Sequence, residues 1–545
     1  MPTPADSPAA RHDTLVVGGG LAGIVTALEL LAAGQRVMLI DRSDDAALGG
    51  LALQAFGGMC LVDTPLQRRA GIRDSQALAW ADWQRAAEFG EDDAWPRAWA
   101  GHYLERCVPD VYDWLRGFGL RFIPAVQWVE RGLFRPGNSV PRYHVLWGTS
   151  RHMTRTLLEA LARHPRRANL TLATGHEVRA IEAVPGGGWR CRGSLCAPGA
   201  AFEATADCLV VASGGIGGDL QRVRAHWPAD LGAPPAHLLN GSHPHADGRL
   251  HDAVQAAGGR LTHLGAMWNY AAGVSYPSPH FEGHGLSLIP PRSALWLDPD
   301  GQRIGPVPLV SGFDTREMVA RIARAGWPHT WQVLNRRIAL RELAASGAEH
   351  NPLIRDRRAF AFLWQILSGR GALADELLAR CPDFVQAATL PGLAQRMNVL
   401  ARGDSVDPGL LAGQIADYDA QIARGERFHD DDQLRRIAQL RRWPGDRMRT
   451  CKFQRILDPA AGPLIAIRCR LLVRKSMGGI QTDLHSRVLG ADGQPLPGLY
   501  AVGEAAGFGG GGLNGRGSLE GTFLAGCILT ARSAARHLAA APSYH

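Results

Sequence analysis

Lysine is almost missing from this chain. Of its 59 basic side chains only Lys452 and Lys475 are lysines, and arginine supplies the rest. Also missing is any apolar run of the roughly 18–20 residues that a membrane-spanning helix requires. The opening MPTPADSPAARHD has no charged start followed by an apolar core. No secretory leader is read there, and a cytoplasmic protein is the expectation. The nine cysteines, at 60, 107, 191, 196, 208, 381, 451, 469 and 527, are odd in number and scattered, with no CxxC. That spacing argues against zinc, iron–sulfur and c-type haem sites, so no metal is expected and the cysteines read as reduced and structural. Any electrons must then come from, or go to, an external donor or acceptor. The net charge of +8 is dispersed, and only RRWPGDRMR at 441–449 forms a basic cluster. Without a basic platform interleaved with aromatics, nucleic acid is not an expected partner. A small-molecule substrate is.

What the chain does contain is dinucleotide-binding pattern at both ends. DTLVVGGGLAGIVTALELLAAGQRVMLIDR occupies 13–42 and GLYAVGEAAGFGGGGLNGRGSLEGTFLAG occupies 498–526. Thr14 to Gly18 is a short β-branched and apolar run, as a buried parallel strand requires. It leads straight into glycines with distinct duties: Gly18 for the tight turn, Gly20 for close approach of a pyrophosphate, and Gly23 for helix–strand contact. Leu21 and Ala22 open a helix whose N-terminus favours phosphate. Gly34 stops that helix, and Val37 to Ile40 makes a second strand ending in Asp41 and Arg42, near where a ribose hydroxyl belongs. Two glycine pairs follow, Gly49-Gly50 and Gly57-Gly58, in a segment able to lie along an extended ligand. LTLATGHEVRAIEAV at 170–184 reads as a strand pair, and DCLVVASGGIGG at 207–218 as a further buried strand ending in a glycine turn. The N-terminal motif serves NAD and FAD alike. The split between the two ends makes FAD the expected cofactor and places the intervening chain as an insertion.

In this order GGGLAG, the two glycine pairs, ASGGIGG, RKSMGGIQTD at 474–483 and GLYAVGEAAG at 498–507 resemble the fumarate reductase and 3-ketosteroid Δ1-dehydrogenase group of FAD-dependent oxidoreductases. The similarity covers nearly the whole chain, and is strongest toward the group's uncharacterised FAD-binding dehydrogenase relatives. The resemblance implies an α/β fold: a Rossmann-like FAD-binding domain, split in sequence, with an inserted α+β cap domain. It implies cofactor contacts from Ala212, Ser213 and Gly214, ribityl contacts from Gly503 and Glu504, ring contacts from Ser518 and Leu519, and backbone contacts to adenine from Val178. Some members tether FAD through a histidine six residues before the second glycine pair. Leu51 occupies that slot, which implies non-covalent FAD.

The expected division is 12–268 for the first part of the FAD-binding domain, 269–460 for the substrate or cap domain, and 461–545 for the returning part. Within the first part, 75–120 is helical in pattern. In the cap, WNYAAGVSYPSPHFEGHGLSLIPPR reads as loop, and helical patterns follow at 315–325, 330–346, 357–367 and 409–424. For chemistry, RKSMGGIQTD presents Arg474 and Lys475. A compact ammonium in a chain that otherwise avoids lysine points to a specific use. By resemblance, FDTREMVARI places the group's acid arginine on Arg316, whereas the clamping arginine of fumarate reductases has no clean match and Arg516 falls two or three residues off. Ketosteroid dehydrogenases use tyrosines as acid and base, and by that resemblance Tyr270 and Tyr276 are the candidates. The expected activity is FAD-dependent dehydrogenation or reduction of a CH–CH bond next to a carbonyl, as in ketosteroid dehydrogenases. The alternatives are reduction of unsaturated dicarboxylates and a binding protein in which FAD is structural.

Overall fold

The computed structural model describes residues 12–44, 47–197, 199–369 and 371–540, so the opening segment read for a leader lies outside the described residues except for its last two positions. The strand His12–Val17 runs parallel to Val37–Ile40 on one side and to Ala201–Val211 on the other. Leu170–Ala173 extends the sheet beyond Val37–Ile40. On the opposite edge Pro495–Ala501 joins in parallel, with Leu499 opposite Leu209. The C-terminal motif therefore enters the same sheet as the N-terminal one, as the split pattern demands. The 170–184 segment does form two strands, but they do not pair with each other: His176–Ala183 forms an antiparallel hairpin with Trp189–Leu195, which joins Ala201–Val211.

The helix Leu21–Ala32 is buried on nearly every side, because the sheet covers one face and the C-terminal helix Thr522–Ala540 covers another. A helix so enclosed reads as apolar all round rather than as a stripe. The two ends are also tied by polar bonds: Gln35 Nε2 donates to the Leu538 carbonyl at 3.1 Å. Asp110 accepts from Arg106 at 2.8 Å and from Arg536 of the C-terminal helix. These guanidiniums hold the Asp110 carboxyl well below the usual carboxylate range against the opposing effect of burial.

A second sheet carries the insertion. Its long central strand, Leu464–Ser476, pairs with Thr330–Asn335 and with Met267–Ser275, the latter flanked by Gly285–Ile289. Three features differ from the sequence expectation. Residues 330–346 are not one helix: the β-branched and aromatic run TWQVLN makes a strand, and the helix covers only Arg336–Glu342. The stretch read as loop around Tyr270 holds two strands, because partners distant in sequence satisfy its backbone. Residues 464–476, grouped by sequence with the returning part of the FAD-binding domain, form the spine of the second sheet before the chain passes back to the first.

Candidate active site

One continuous cleft runs from the glycine-rich turn to the end of the central cap strand. Gly18, Gly20, Leu21, Ala22, Asp41 and Arg42 line its first end. Gly18 adopts φ +114°, and a Cβ there would stand 2.3 Å from the Ala212 carbonyl oxygen. A Cβ on Gly20, by contrast, would meet nothing within 4 Å and would project into the cleft. This is the arrangement a diphosphate needs: backbone closed behind and open space in front, at a helix N-terminus whose first turn holds no acid. Gly23 lies behind, where a Cβ would be 1.9 Å from the Gly18 oxygen, so it serves helix–strand packing and not ligand contact. Asp41 accepts from Gly19 N at 2.5 Å and from Ser43 N at 2.7 Å, which fixes the turn. The Arg42 guanidinium is held at 3.0 Å from both Glu177 and Asp247.

Gly49, Gly50, Leu51, Gly57 and Gly58 form one wall, and Val178, Ala212, Ser213 and Gly214 another. Leu51 offers no nucleophile to a cofactor at its position. Ser518 and Leu519 are buried and do not line the cleft, while Gly503 stands behind it with its N–H donated to Thr530 Oγ1 at 2.9 Å. Glu504 does line it, accepting from Ser476 N at 2.9 Å, and burial raises its carboxyl pKa.

The far end of the cleft gathers Tyr143, Tyr270, Arg474, Lys475, Glu520 and Phe523. Glu520 Oε2 accepts from Trp268 Nε1 at 2.6 Å and from Tyr270 Oη at 3.0 Å. Burial and the adjacent Glu520 charge raise the Tyr270 phenol well above its ordinary value, so it is a neutral donor. The Lys475 ammonium lies 4.1 Å from the centre of the Phe523 ring and 5.8 Å from that of Tyr270. Burial pulls its pKa down to about 8, with the Glu520 charge the strongest influence in the other direction. Arg474 donates to the Gly241 carbonyl, and its own pKa is lowered by burial.

Tyr143, Glu520 and Phe523 escaped the sequence reading. Glu520 sits inside the C-terminal motif, yet its two donors lie in a strand some 250 residues earlier. Arg316 is not part of this constellation. It lines a separate cleft, where its Nη2 pairs with Asp230 at 2.7 Å beside Arg516, which binds the same carboxylate at 2.8 Å. The helix Thr315–Arg324 that carries it packs its other face into the cap, leaving Arg316 on the outer side. Tyr276 is likewise elsewhere, stacked on His284 at 4.0 Å and donating to Glu349 at 2.5 Å.

A family model described as FAD binding domain matches residues 13–524. The chain belongs to that family. The flavoprotein is 41% identical to a KsdD-like steroid dehydrogenase of Mycolicibacterium smegmatis, covering 94% of this chain and 96% of that one. It is 40% identical to KsdD-like steroid dehydrogenase MT0809 of Mycobacterium tuberculosis, over 98% and 96%. In fold it is similar to the 3-ketosteroid delta1-dehydrogenase from Sterolibacterium denitrificans, with TM-score 0.67, 17% identity, and coverage of 98% of this chain and 100% of that one. A flavocytochrome c3 fumarate reductase gives TM-score 0.66 at 19% identity, over 98% and 79%. The protein is thus an FAD-dependent oxidoreductase, and the open space before Gly20 is consistent in shape and polarity with the dinucleotide it takes.

Proposed function

We propose that this flavoprotein forms or saturates a carbon–carbon double bond next to the ketone of a steroid-like substrate. The observation that carries the reading is the cluster in which Tyr270 and Trp268 both donate to Glu520, beside Lys475, at the end of the FAD cleft. Bound FAD supplies the hydride chemistry. The glycine turn, the pairs at 49–50 and 57–58, Val178 and Ala212 to Gly214 would hold it, with Gly503, Glu504, Ser518 and Leu519 supporting the ribityl and ring end.

The proton is left to the side chains. In the oxidising direction a C–H bond next to the ketone breaks, and Tyr270 Oη takes the proton as its own passes to Glu520 Oε2, 3.0 Å away. The transfer avoids a free phenolate, which burial and the Glu520 charge disfavour. Lys475, still mostly protonated at neutral pH, donates to the ketone oxygen and stabilises the negative charge that gathers there. Arg474, anchored on Gly241, adds positive potential behind it. Residues 269–460 would act as the cap, joined to the FAD-binding part through the strand Leu464–Ser476. Arg316 and Arg516 share Asp230 in another cleft, which leaves Arg474 and Lys475 as the arginine and lysine beside Tyr270 and Glu520 at this end of the FAD cleft and disfavours a dicarboxylate.

The test is product analysis. FAD-loaded protein, 4-androstene-3,17-dione and a dye acceptor should yield a steroid lighter by two hydrogens. No change with any steroidal or cyclic ketone, together with fumarate-dependent oxidation of the reduced flavin, would overturn the reading in favour of a dicarboxylate reductase.

A further inference from the structure

The helix Ala359–Ser368 is apolar nearly all round, Gln365 and Ser368 being its polar residues, yet one side of it faces outward. Phe360, Leu363, Trp364 and Leu367 recur at i, i+3, i+4 and i+7, one face of a helix, and are 91%, 53%, 72% and 70% exposed. No residue of this helix is fully buried. A water-soluble helix ordinarily turns such a stripe to the core. On the inner side Phe362 lies against Trp147, with ring centres 5.9 Å apart.

The charges around the stripe are mostly positive. Arg357 and Arg358 precede the helix, and both are exposed; Arg357 reaches only His152 Nε2, at 3.2 Å, and Arg358 has no carboxylate partner among the described residues. Arg341 lies near the helix end, 3.8 Å from where a Cβ on Gly369 would stand. Asp356 is the acid adjoining this collar, and Arg355 neutralises it at 2.7 Å. Aromatic and leucine side chains on one face, ringed by arginine, are the chemistry of a helix lying in the headgroup layer of an anionic membrane.

The place in the fold is informative as well. Ser346, in the segment leading to this helix, lines the FAD cleft, and the next residues pack on the cleft wall, with Ala348 N donating to the Gln54 carbonyl at 2.8 Å. Trp147 follows the strand Tyr143–Val145, whose Tyr143 lines the cleft on the other side.

We propose that the helix Ala359–Ser368 docks the protein on an anionic lipid surface, with Phe360, Leu363, Trp364 and Leu367 in the headgroup layer and Arg357 and Arg358 on the lipid phosphates. Should the substrate be steroid-like, a reading on which only this corollary rests, docking would hold the cleft beside the bilayer that dissolves it.

Vesicle co-sedimentation of the FAD-loaded protein tests the docking without any substrate. The protein should sediment with vesicles of phosphatidylcholine and phosphatidylglycerol, and about tenfold less with phosphatidylcholine alone. Phe360→Ser/Trp364→Ser should lower its partitioning by about tenfold or more. Arg357→Glu/Arg358→Glu should remove the preference for the anionic vesicles. Because these side chains are exposed, FAD content and turnover in detergent-free buffer should match the parent protein, and these controls separate lost docking from lost folding. The proposal is overturned if the parent protein stays in the supernatant with anionic vesicles, or if the Ser variant sediments equally well. It is also overturned if sedimentation velocity without lipid shows a dimer that the Ser variant converts to monomer, since a second copy then covers the face. Failure in any of these ways leaves the proposed reaction untouched.

Discussion

Glu520→Gln is the most informative single change. The carboxylate accepts two hydrogen bonds, 2.6 Å from Trp268 and 3.0 Å from Tyr270, and the amide keeps its shape while losing the charge. Both donors meet the same oxygen, Oε2, so the amide can present its carbonyl there and keep both bonds, which then lose the charge assistance that makes a bond to a carboxylate worth about 1 kcal/mol more than a neutral one. The larger effect is chemical, because the Tyr270 proton then has no carboxylate to receive it. Loss of a positioned acid or base costs about 10²–10⁴-fold in rate, so kcat should fall within that range while FAD stays bound. The pH profile supplies a second readout. Lys475 loses its proton as pH rises through about 8, and the ammonium is the form that can donate to the ketone, so the rate should decline on the alkaline side. The Glu520 charge is the main influence holding that value up. Removing it lowers the lysine further, and the alkaline decline should begin at lower pH in the variant. Steady-state rates with a dye acceptor from pH 6 to 10, normalised to flavin content, measure both effects. A kcat within about threefold of the parent, with the alkaline limb unmoved, would refute the proton route through Glu520.

Four further outcomes are expected. Gly20→Val should fold normally, since a Cβ there meets open space, yet lose about 100-fold in FAD affinity, roughly 3 kcal/mol by equilibrium dialysis; Gly18→Ala should instead lower the melting temperature, because its Cβ collides with the Ala212 carbonyl at positive φ. Arg316→Ala should leave kcat and KM unchanged, its partner being Asp230 in the separate cleft; a loss of about tenfold or more in kcat would bring Arg316 back to the chemistry. Asp110→Asn should destabilise the protein by about 1–3 kcal/mol at pH 7, since the buried acceptor loses its charge while Arg106 and Arg536, 40% and 43% exposed, still reach water. Asp110 has its pKa depressed in the folded state, so its stabilisation is present above the unfolded value and is lost as pH falls through the folded one. The parent and variant unfolding curves should therefore converge in acid.

Local signals were readable and long-range ones were not. The run Thr14 to Arg42 announces strand, turn, helix and strand in order, and each appears within a residue or two of its expected place. The strand Thr330–Asn335 was hidden because TWQVLN, with three apolar residues among six, fits a short buried strand or a helix turn equally, and the helix that follows continued the pattern. The two strands around Tyr270 were hidden by glycine, proline and aromatics that signal loop, their ladder being completed by Leu464–Ser476 almost two hundred residues on. Lys475 and Tyr270 were nameable because a rare lysine and a tyrosine stand out by type. Glu520 became visible only when the fold carried it to Trp268 and Tyr270. Arg316 lies on a family-like segment, but its helix face turns toward a separate cleft, which no local pattern announces.

The central claim is tested most directly by the visible flavin spectrum of the FAD-loaded protein after anaerobic mixing with a ketosteroid. With 4-androstene-3,17-dione the oxidised flavin should bleach, and dithionite-reduced flavin should regain its colour with 1,4-androstadiene-3,17-dione, each about 10²–10⁴-fold slower in Glu520→Gln. A flavin that neither bleaches nor recovers while steroid binding is evident from a perturbed spectrum would contradict the account.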